Sequence, residues 1–236
     1  MSEISQNLNN ILTKIRSLEK SAGRPENSVK LVAVSKFHPA ESVIEAVGAG
    51  QSLFGENRIQ EAAAKFDEIR AKGVSCDLHI IGSLQRNKVK EAVRISSCIE
   101  SVDRIELIEE IEKQAAKINK MIEILFEIHT GEESKAGFLS EEELGAAVER
   151  CARGDFPHIT PKGFMTMAPF SDDQALVRKS FVTLRNLREK FQKSYPALEL
   201  CELSMGMSGD YDIAIEEGAT IVRIGTAIFG QRKSVS

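Results

Sequence analysis

The sequence lacks several features that mark whole classes of protein. No apolar run approaches the roughly 18 residues that a membrane-spanning helix needs. The first 18 residues show neither an apolar core segment nor a cleavage-site pattern, so we expect no signal peptide. The four cysteines are widely spaced without a CxxC pair, which argues against a zinc or redox motif and suits a reducing cytosol: Cys76, Cys98, Cys151 and Cys201. We therefore expect a cytoplasmic protein that does not engage a membrane.

Motifs for the commonest ligands are missing as well. There is no GxGxxG, Walker A or GxSxG pattern, which counts against dinucleotide, nucleotide triphosphate and serine-hydrolase sites. The four histidines form neither HxH nor HExxH, so no metal site is expected. The 31 basic and 35 acidic residues give a net charge of −4, which argues against a nucleic-acid binder.

What the sequence does contain is ordinary globular composition and a regular alternation. Hydrophobic residues make up 42% of the 236 residues, and no linker-like segment divides them, so we expect one domain over 1–236. Short β-branched runs alternate with longer amphipathic stretches, after an extra N-terminal helix over 2–22. The predicted strands are Leu31–Ser35, Ser52–Gly55, Leu78–Gly82, Ser97–Val102, Ile122–His129, Pro161–Met165, Leu198–Ser204 and Thr220–Gly225.

Eight strand–helix units predict a parallel sheet with helices on its faces. Their number and length fit a (β/α)8 TIM barrel, although periodicity alone leaves an open doubly wound sheet as the rival. In either fold a site forms at the carboxyl ends of the strands. The polar residues at those ends are therefore the candidates for chemistry.

Lys36 closes the first strand and shares a face with Val32 and Val34, which predicts that it caps the barrel interior. A lysine in an apolar mouth loses hydration, which favours the neutral amine that can form a Schiff base with an aldehyde. The simpler alternative is a lysine that extends from a strand end to water.

Arg223 interrupts an apolar strand, in TIVRIG, and is expected to point into the same interior. A buried arginine is costly unless it is paired, so it serves either a ligand or a structural ion pair with Glu127 or Glu202.

Two glycine-rich turns follow the last two strands, one from Ser204 to Ser208 and one at Gly225 and Thr226. Loops after strands seven and eight are the usual phosphate cradle of such barrels, but the glycines could equally serve tight turns. Asn57, after the second strand, either caps the next helix or faces the site. An aldehyde for Lys36, a ring for Arg223 and a phosphate for the turns together describe pyridoxal 5′-phosphate (PLP).

Several stretches resemble the pyridoxal phosphate homeostasis protein family, the YggS-like proteins, which are similar to the barrel domain of bacterial alanine racemases. The matching stretches are LVAVSKFHP, FGENRIQEA, HIIGSLQRNK, ESKAGF, KGFMTMAP and SMGMSGDYDIAIEEGATIVRIGTAIFG.

The resemblance implies a role for each candidate residue. Lys36 matches the lysine that forms the aldimine with PLP, and Arg223 matches the arginine that faces the pyridine nitrogen. Ser204, Gly225 and Thr226 match phosphate-binding positions, and Asn57 matches a position that lines the pocket. The sequence departs from the family pattern at His38, His129 and Phe164, and we expect these changes to lie at the rim.

The resemblance also implies a binding protein, which keeps free PLP low and supplies it to apo-enzymes. An arginine that only donates should leave the ring nitrogen unprotonated, which weakens PLP as an electron sink. A slow amino-acid racemase is the alternative; of the two tyrosines, only Tyr211 is a candidate for the second acid–base group. An aldolase-type barrel that uses Lys36 on a sugar phosphate is a third possibility. Because the sequence ends about ten residues after Thr226, we expect no racemase-type β-domain and a monomer.

Overall fold

The computed structural model describes residues 2–131 and 136–231. Its eight strands form a closed barrel in which each strand pairs in parallel with the next and β8 pairs with β1. The strands are β1 (Lys30–Val34), β2 (Leu53–Glu56), β3 (Asp77–Ile80), β4 (Cys98–Val102), β5 (Ile122–Glu127), β6 (Ile159–Met165), β7 (Glu202–Ser204) and β8 (Ile221–Ile224). The TIM barrel is confirmed, and the doubly wound alternative is wrong.

Helices alternate with these strands and cover the outside of the barrel. They are α1 (Glu3–Ser21), α2 (Ala40–Gly48), α3 (Ile59–Ala71), α4 (Val89–Ile95), α5 (Ile105–Lys117), α6 (Glu141–Ala152), α7 (Gln174–Ser194), α8 (Tyr211–Glu216) and α9 (Thr226–Phe229). None of the helices in the described ranges is long and apolar enough to cross a membrane.

The predicted N-terminal helix is confirmed as α1. Ser2 caps it, because its side chain accepts a hydrogen bond from the Ser5 N–H. Leu8 and Ile15 lie on the same face of the helix, about two turns apart, and both are fully buried. The helix packs along α2, α8 and α9, so it covers a flank of the barrel.

All eight predicted strands exist, but the third and fifth end two residues earlier than predicted, the sixth begins two residues earlier and the seventh begins four residues later. The seventh begins at Glu202 because the preceding segment is a turn, in which the Leu200 N–H donates to the Gln192 side chain. The sixth begins before Pro161, and its pairing with β5 shifts register next to that residue. A proline has no N–H to give to the ladder, so the strand tolerates it only at this irregularity.

The barrel interior contains both apolar and charged side chains. The apolar ones form a cluster of Val32, Val34, Cys98, Leu125, Met165 and Ile221. Because side chains alternate along a strand, the interior positions two residues further on are Glu100 in β4, Glu127 in β5 and Arg223 in β8. All three are buried, so charged groups are concentrated just below the carboxyl ends of the strands.

Candidate functional site

A cavity of about 570 Å³ opens at the carboxyl ends of the strands. This volume lies within the range usual for small-molecule sites. Five of the six candidate residues line it: Lys36, Asn57, Arg223, Gly225 and Thr226. The sequence-based expectation that these positions converge is therefore met for all but Ser204.

Lys36 lies one residue beyond the end of β1, and a buried network holds the residue before it. The Ser35 hydroxyl donates to Glu56 Oε1 at 2.7 Å, and Lys65 Nζ donates to that same oxygen at 2.7 Å and to the Ser35 carbonyl at 2.8 Å. Glu56 is fully buried, so these bonds form away from competing water. The network fixes the backbone from which the Lys36 side chain extends.

Phe37, directly after Lys36, adopts a left-handed backbone conformation with φ 68°. A bulky residue rarely occupies this region, because its Cβ crowds the backbone there. Phe37 lines the cavity wall and is 43% exposed. The centre of its ring lies 5.3 Å from the Arg58 Cζ. The chain therefore turns sharply at the cavity mouth as soon as it has placed Lys36.

Asn57 faces the cavity and does not cap α3. Arg58 occupies the cap position, and no side chain caps that helix end. The Asn57 Oδ1 is buried and has no hydrogen-bond partner in the described structure. Gly82 allows the close approach, since a Cβ there would lie 2.7 Å from the Asn57 Cα. A buried acceptor without a partner is costly, and among the described residues Glu56 Oε2 and Arg188 Nε share this state.

Arg223 is buried at the base of the cavity. Its Nη1 donates to Ser204 Oγ at 2.7 Å, and its Nη2 donates to the Thr166 carbonyl at 2.9 Å. Burial lowers the pKa of the guanidinium, while the charges of Glu100, Glu127 and Asp210 raise it. Glu202, one of the two partners considered for a structural ion pair, pairs with Lys30 instead, at 2.6 Å.

Ser204 lies below the cavity and is completely buried. Its hydroxyl accepts from Arg223 and donates to Glu100 Oε2 at 2.5 Å. The direction of both bonds is fixed, because a guanidinium only donates and a carboxylate only accepts. The single Ser204 proton is thus committed to Glu100, and the serine of this loop that lines the cavity is Ser208.

The two glycine-rich turns border the cavity for different physical reasons. Gly206 has φ 93°, and a Cβ there would lie 2.5 Å from the Ala214 Cβ. Gly225 has φ −119°, so a tight turn with positive φ is not what requires glycine there; a Cβ would instead lie 2.9 Å from the Val34 carbonyl oxygen. Thr226, which begins α9, is exposed beside it.

Neither tyrosine lines the cavity. Tyr211 is buried beneath α1, with Lys14 Nζ 5.2 Å from its ring centre. Tyr195 stacks on Phe191 at 6.3 Å between ring centres. Tyr211, the candidate for the second acid–base group that a racemase needs, therefore lies outside the cavity lining, as does Tyr195.

The departures from the family pattern do not all lie at the rim. His38 lines the cavity and packs on the Phe229 ring, and burial together with the Lys65 charge lowers its pKa. Phe164 is fully buried, and the centre of its ring lies 5.8 Å from that of Phe126. The expectation of a rim position is therefore wrong for Phe164. Residues 133–135, the first half of the ESKAGF stretch, lie outside the described residues.

Glu100 and His79 are site neighbours that the sequence analysis missed. Glu100 Oε1 lies 2.6 Å from His79 Nδ1, and both residues are buried. Burial alone raises the pKa of Glu100. The hydrogen bond and charge of His79, the charge of Arg223 and the Ser204 hydrogen bond lower it by more, so the pKa lies below its ordinary value. Glu100 is a charged residue inside a predicted apolar strand, two residues after Cys98. The same pattern singled out Arg223, so the sequence contained a signal for Glu100 as well.

A second, larger cavity of about 1200 Å³ lies at the amino ends of the strands. Its cations already have protein partners. Lys120 Nζ, for example, donates to the carbonyls of Val93 and Ser96 at 2.6 and 2.7 Å. His79 lines this cavity from the barrel interior.

Comparisons with known proteins show the family and the fold of this chain. The family model described as alanine racemase, N-terminal domain, matches residues 6–233. A pyridoxal phosphate homeostasis protein of Aquifex aeolicus is 40% identical over 228 residues, which cover 97% of this chain and 98% of that protein. Its Escherichia coli K12 counterpart is 35% identical over 240 residues, with 98% of each chain covered.

Solved structures show the same relationship. PipY of Synechococcus elongatus, determined with PLP bound, superimposes with a TM-score of 0.84 at 33% identity and covers 96% of this chain and 100% of its own. Alanine racemase of Corynebacterium glutamicum has the same fold, with a TM-score of 0.70 at 18% identity. The chain belongs to the pyridoxal phosphate homeostasis protein family, whose barrel is that of the alanine racemase N-terminal domain.

Proposed function

We propose that this chain binds PLP in the carboxyl-end cavity, holds it as a Schiff base on Lys36, and serves intracellular PLP homeostasis by supplying the cofactor to apo-enzymes. The observation that carries the proposal is the convergence of Lys36, Arg223 and the Gly225–Thr226 turn on one cavity. PipY, similar over nearly the full length of this chain, was determined with PLP bound.

The cavity residues fit the chemical groups of PLP. Asn57 Oδ1 offers a buried acceptor for a donor on the ligand. The absence of a side chain at Gly225 lets β8 approach β1 closely, and the first N–H groups of the following helix have no partners within it. Such N–H groups bind phosphate oxygens, with the Thr226 hydroxyl beside them. Arg223 supplies a donor for the ring nitrogen.

The chemistry that PLP supplies is an electrophilic aldehyde. The Lys36 amine and the aldehyde carbon condense to a C=N bond and release one water, and the reverse hydrolysis frees both partners. Neither direction needs an oxidant or a reductant. One bond can therefore hold the cofactor and release it again.

The arginine favours holding over turnover. A guanidinium donates hydrogen bonds and keeps its protons, so it stabilises an unprotonated ring nitrogen. A neutral ring stabilises negative charge on a bound substrate less than a pyridinium does. The relatives are named as homeostasis proteins, and no tyrosine among the described residues reaches the cavity. Racemase activity is therefore not favoured.

The same proposal includes the setting in which the protein acts. We propose a single PLP-binding domain over 1–236 that acts in the cytoplasm as a monomer. The four cysteines, which are all free, support a reducing compartment. Its partners are then PLP and PLP-dependent apo-enzymes, without nucleic acid or membrane.

Borohydride trapping tests the binding step. We expect purified protein mixed with PLP to gain one phosphopyridoxyl group after reduction, and peptide mapping to place it on Lys36. Denatured protein treated in the same way is the control, because its exposed lysines label without selectivity. A reduced adduct spread over surface lysines would overturn the proposal.

Transfer is tested by mixing the loaded protein with an apo-enzyme whose activity reports PLP uptake. A phosphatase that destroys free PLP separates direct handover from release into solution. We expect the apo-enzyme to be activated when the phosphatase is absent. Amino-acid racemisation is assayed in parallel, and robust turnover would place the protein among the enzymes.

A further inference from the structure

Four buried side chains form a continuous hydrogen-bonded chain through the barrel interior. Arg223 in β8 donates to Ser204 in β7 at 2.7 Å, and Ser204 donates to Glu100 in β4 at 2.5 Å. The other Glu100 oxygen lies 2.6 Å from His79 Nδ1 in β3. The series begins at the floor of the carboxyl-end cavity and ends at the cavity on the opposite side of the barrel.

We propose that Glu100 is a positioning residue for the cofactor-facing arginine: through Ser204 it fixes the orientation of Arg223 and balances its charge, and His79 anchors Glu100 from the other side. This inference rests on the proposed function for its ligand, and it assigns roles to residues that the sequence analysis missed or placed at the phosphate.

The donor and acceptor chemistry of these groups fixes the direction of the two bonds between Arg223 and Glu100. Arg223 has only donors, and a Glu100 carboxylate has only acceptors, so the Ser204 hydroxyl must accept from one and donate to the other. The second Arg223 nitrogen is held by the Thr166 carbonyl at 2.9 Å. With both terminal nitrogens held, the guanidinium plane is set before any ligand arrives.

Charge gives Glu100 a role that packing alone does not. Arg223 and Glu100 are respectively 4% and 0% exposed, so water cannot compensate the arginine. An isolated buried cation is strongly unfavourable, whereas a nearby anion offsets that cost. Glu127 and Asp210 also act on Arg223 through their charges, but Glu100 reaches it through a single hydroxyl.

The experiment compares variants of the full chain. Glu100→Gln keeps the side-chain shape and removes the charge, and Ser204→Ala removes the bridge. Glu202→Gln is the matched control, because Glu202 belongs to the same barrel but bonds Lys30 and Thr220. The measurements are the PLP dissociation constant, the absorption spectrum of bound PLP and the unfolding temperature without PLP.

We expect Glu100→Gln and Ser204→Ala each to weaken PLP binding about tenfold and to shift the absorption maximum. The double variant should be little worse than either single variant, because both act through one series of bonds. Glu202→Gln should leave affinity and spectrum unchanged. If both single variants keep wild-type affinity and spectrum, and only the unfolding temperature falls, the residues are merely structural and the inference is wrong.

A measurement without PLP separates this inference from the proposed function. In protein labelled with ¹⁵N-arginine, the two Nη signals of Arg223, assigned by their loss in Arg223→Lys, should be distinct because rotation is hindered. They should broaden or merge in Ser204→Ala, which decides the matter even if Glu100→Gln fails to fold. Unchanged signals overturn the inference, whereas a wild-type protein that never traps PLP on Lys36 overturns only the proposed function.

Discussion

The two ends of this barrel hold cavities of opposite character. The amino-end cavity is about twice as large, roughly 1200 against 570 Å³, and carries more charged side chains. Its cations are already paired: Lys30 with Glu202, and Lys120 with backbone carbonyls. At the carboxyl end, Glu56 Oε2 and Asn57 Oδ1 lack partners although both are buried, and Asn57 lines the cavity. Cavity size and charge therefore do not by themselves identify the site.

The sharpest test of the difference between the two cavities replaces one lysine in each of them with alanine. Lys36→Ala should abolish the borohydride-trapped adduct, because no other amine of the described cavity lining can replace it. Lys120→Ala should keep the adduct and lose about 2 kcal/mol of stability, because its ammonium bonds several backbone carbonyls. Mass spectrometry and urea unfolding of both variants measure the two effects. Comparable PLP loss in both would erase the distinction between the ends.

Glu19, beside the amino-end cavity, extends the comparison to pH. Burial alone raises the pKa of this carboxyl, but the Arg16 hydrogen bond and the N–H groups of Val29 and Asn27 lower it by more. A lowered native pKa means that the stabilisation is complete above the unfolded-state pKa of about 4.3 and is lost as pH falls through the native value.

We expect Glu19→Gln to cost about 2 kcal/mol at pH 7 and to flatten the acid side of the stability curve. Urea unfolding between pH 7 and pH 3 measures both effects. PLP affinity at pH 7 should not change. A variant whose acid transition matches the wild type would show that Glu19 does not govern it.

Gly225 tests the carboxyl end by shape alone. Gly225→Ala places a methyl group 2.9 Å from the Val34 carbonyl oxygen, which must move the turn or the strand. We expect PLP affinity to fall about tenfold, or ~1.4 kcal/mol. Gly48→Ala in α2 is the control, since its Cβ would meet nothing within 4 Å. Titration of both variants with PLP gives the comparison, and equal affinities would mean that the turn tolerates a side chain.

The smallest effect is expected for the ion pair between Lys30 and Glu202. The Lys30 side chain is 58% exposed, so water competes for its charge and Lys30→Gln should change stability by less than about 0.5 kcal/mol. PLP affinity should stay at the wild-type value. Thermal unfolding and PLP titration measure the two, and a clear fall in affinity would connect the amino end to the site.

The sequence predicted a parallel sheet with helices on its faces because the alternation of strands and helices is a local signal, but that signal left an open doubly wound sheet as the rival of the barrel until the strands were seen to close. Lys36 and Arg223 could be predicted since each is a charged residue within or directly after an apolar strand. Glu100 carries a similar signal in β4, but its meaning depends on Ser204 and His79, which the chain brings together only when the barrel closes. Ser204 was expected at the phosphate because the family resemblance implied it, and sequence spacing cannot tell that Ser208, not Ser204, lines the cavity.

The bonds from His79 to Arg223 have a consequence for how the two faces of the barrel communicate. A relay of hydrogen ions must end on a group that can surrender one, and a guanidinium does not. The series from His79 to Arg223 can therefore transmit changes of charge and of side-chain orientation, but not a proton. A change of charge beside His79 would therefore reach the opposite cavity only through the orientation and the charge balance of Arg223.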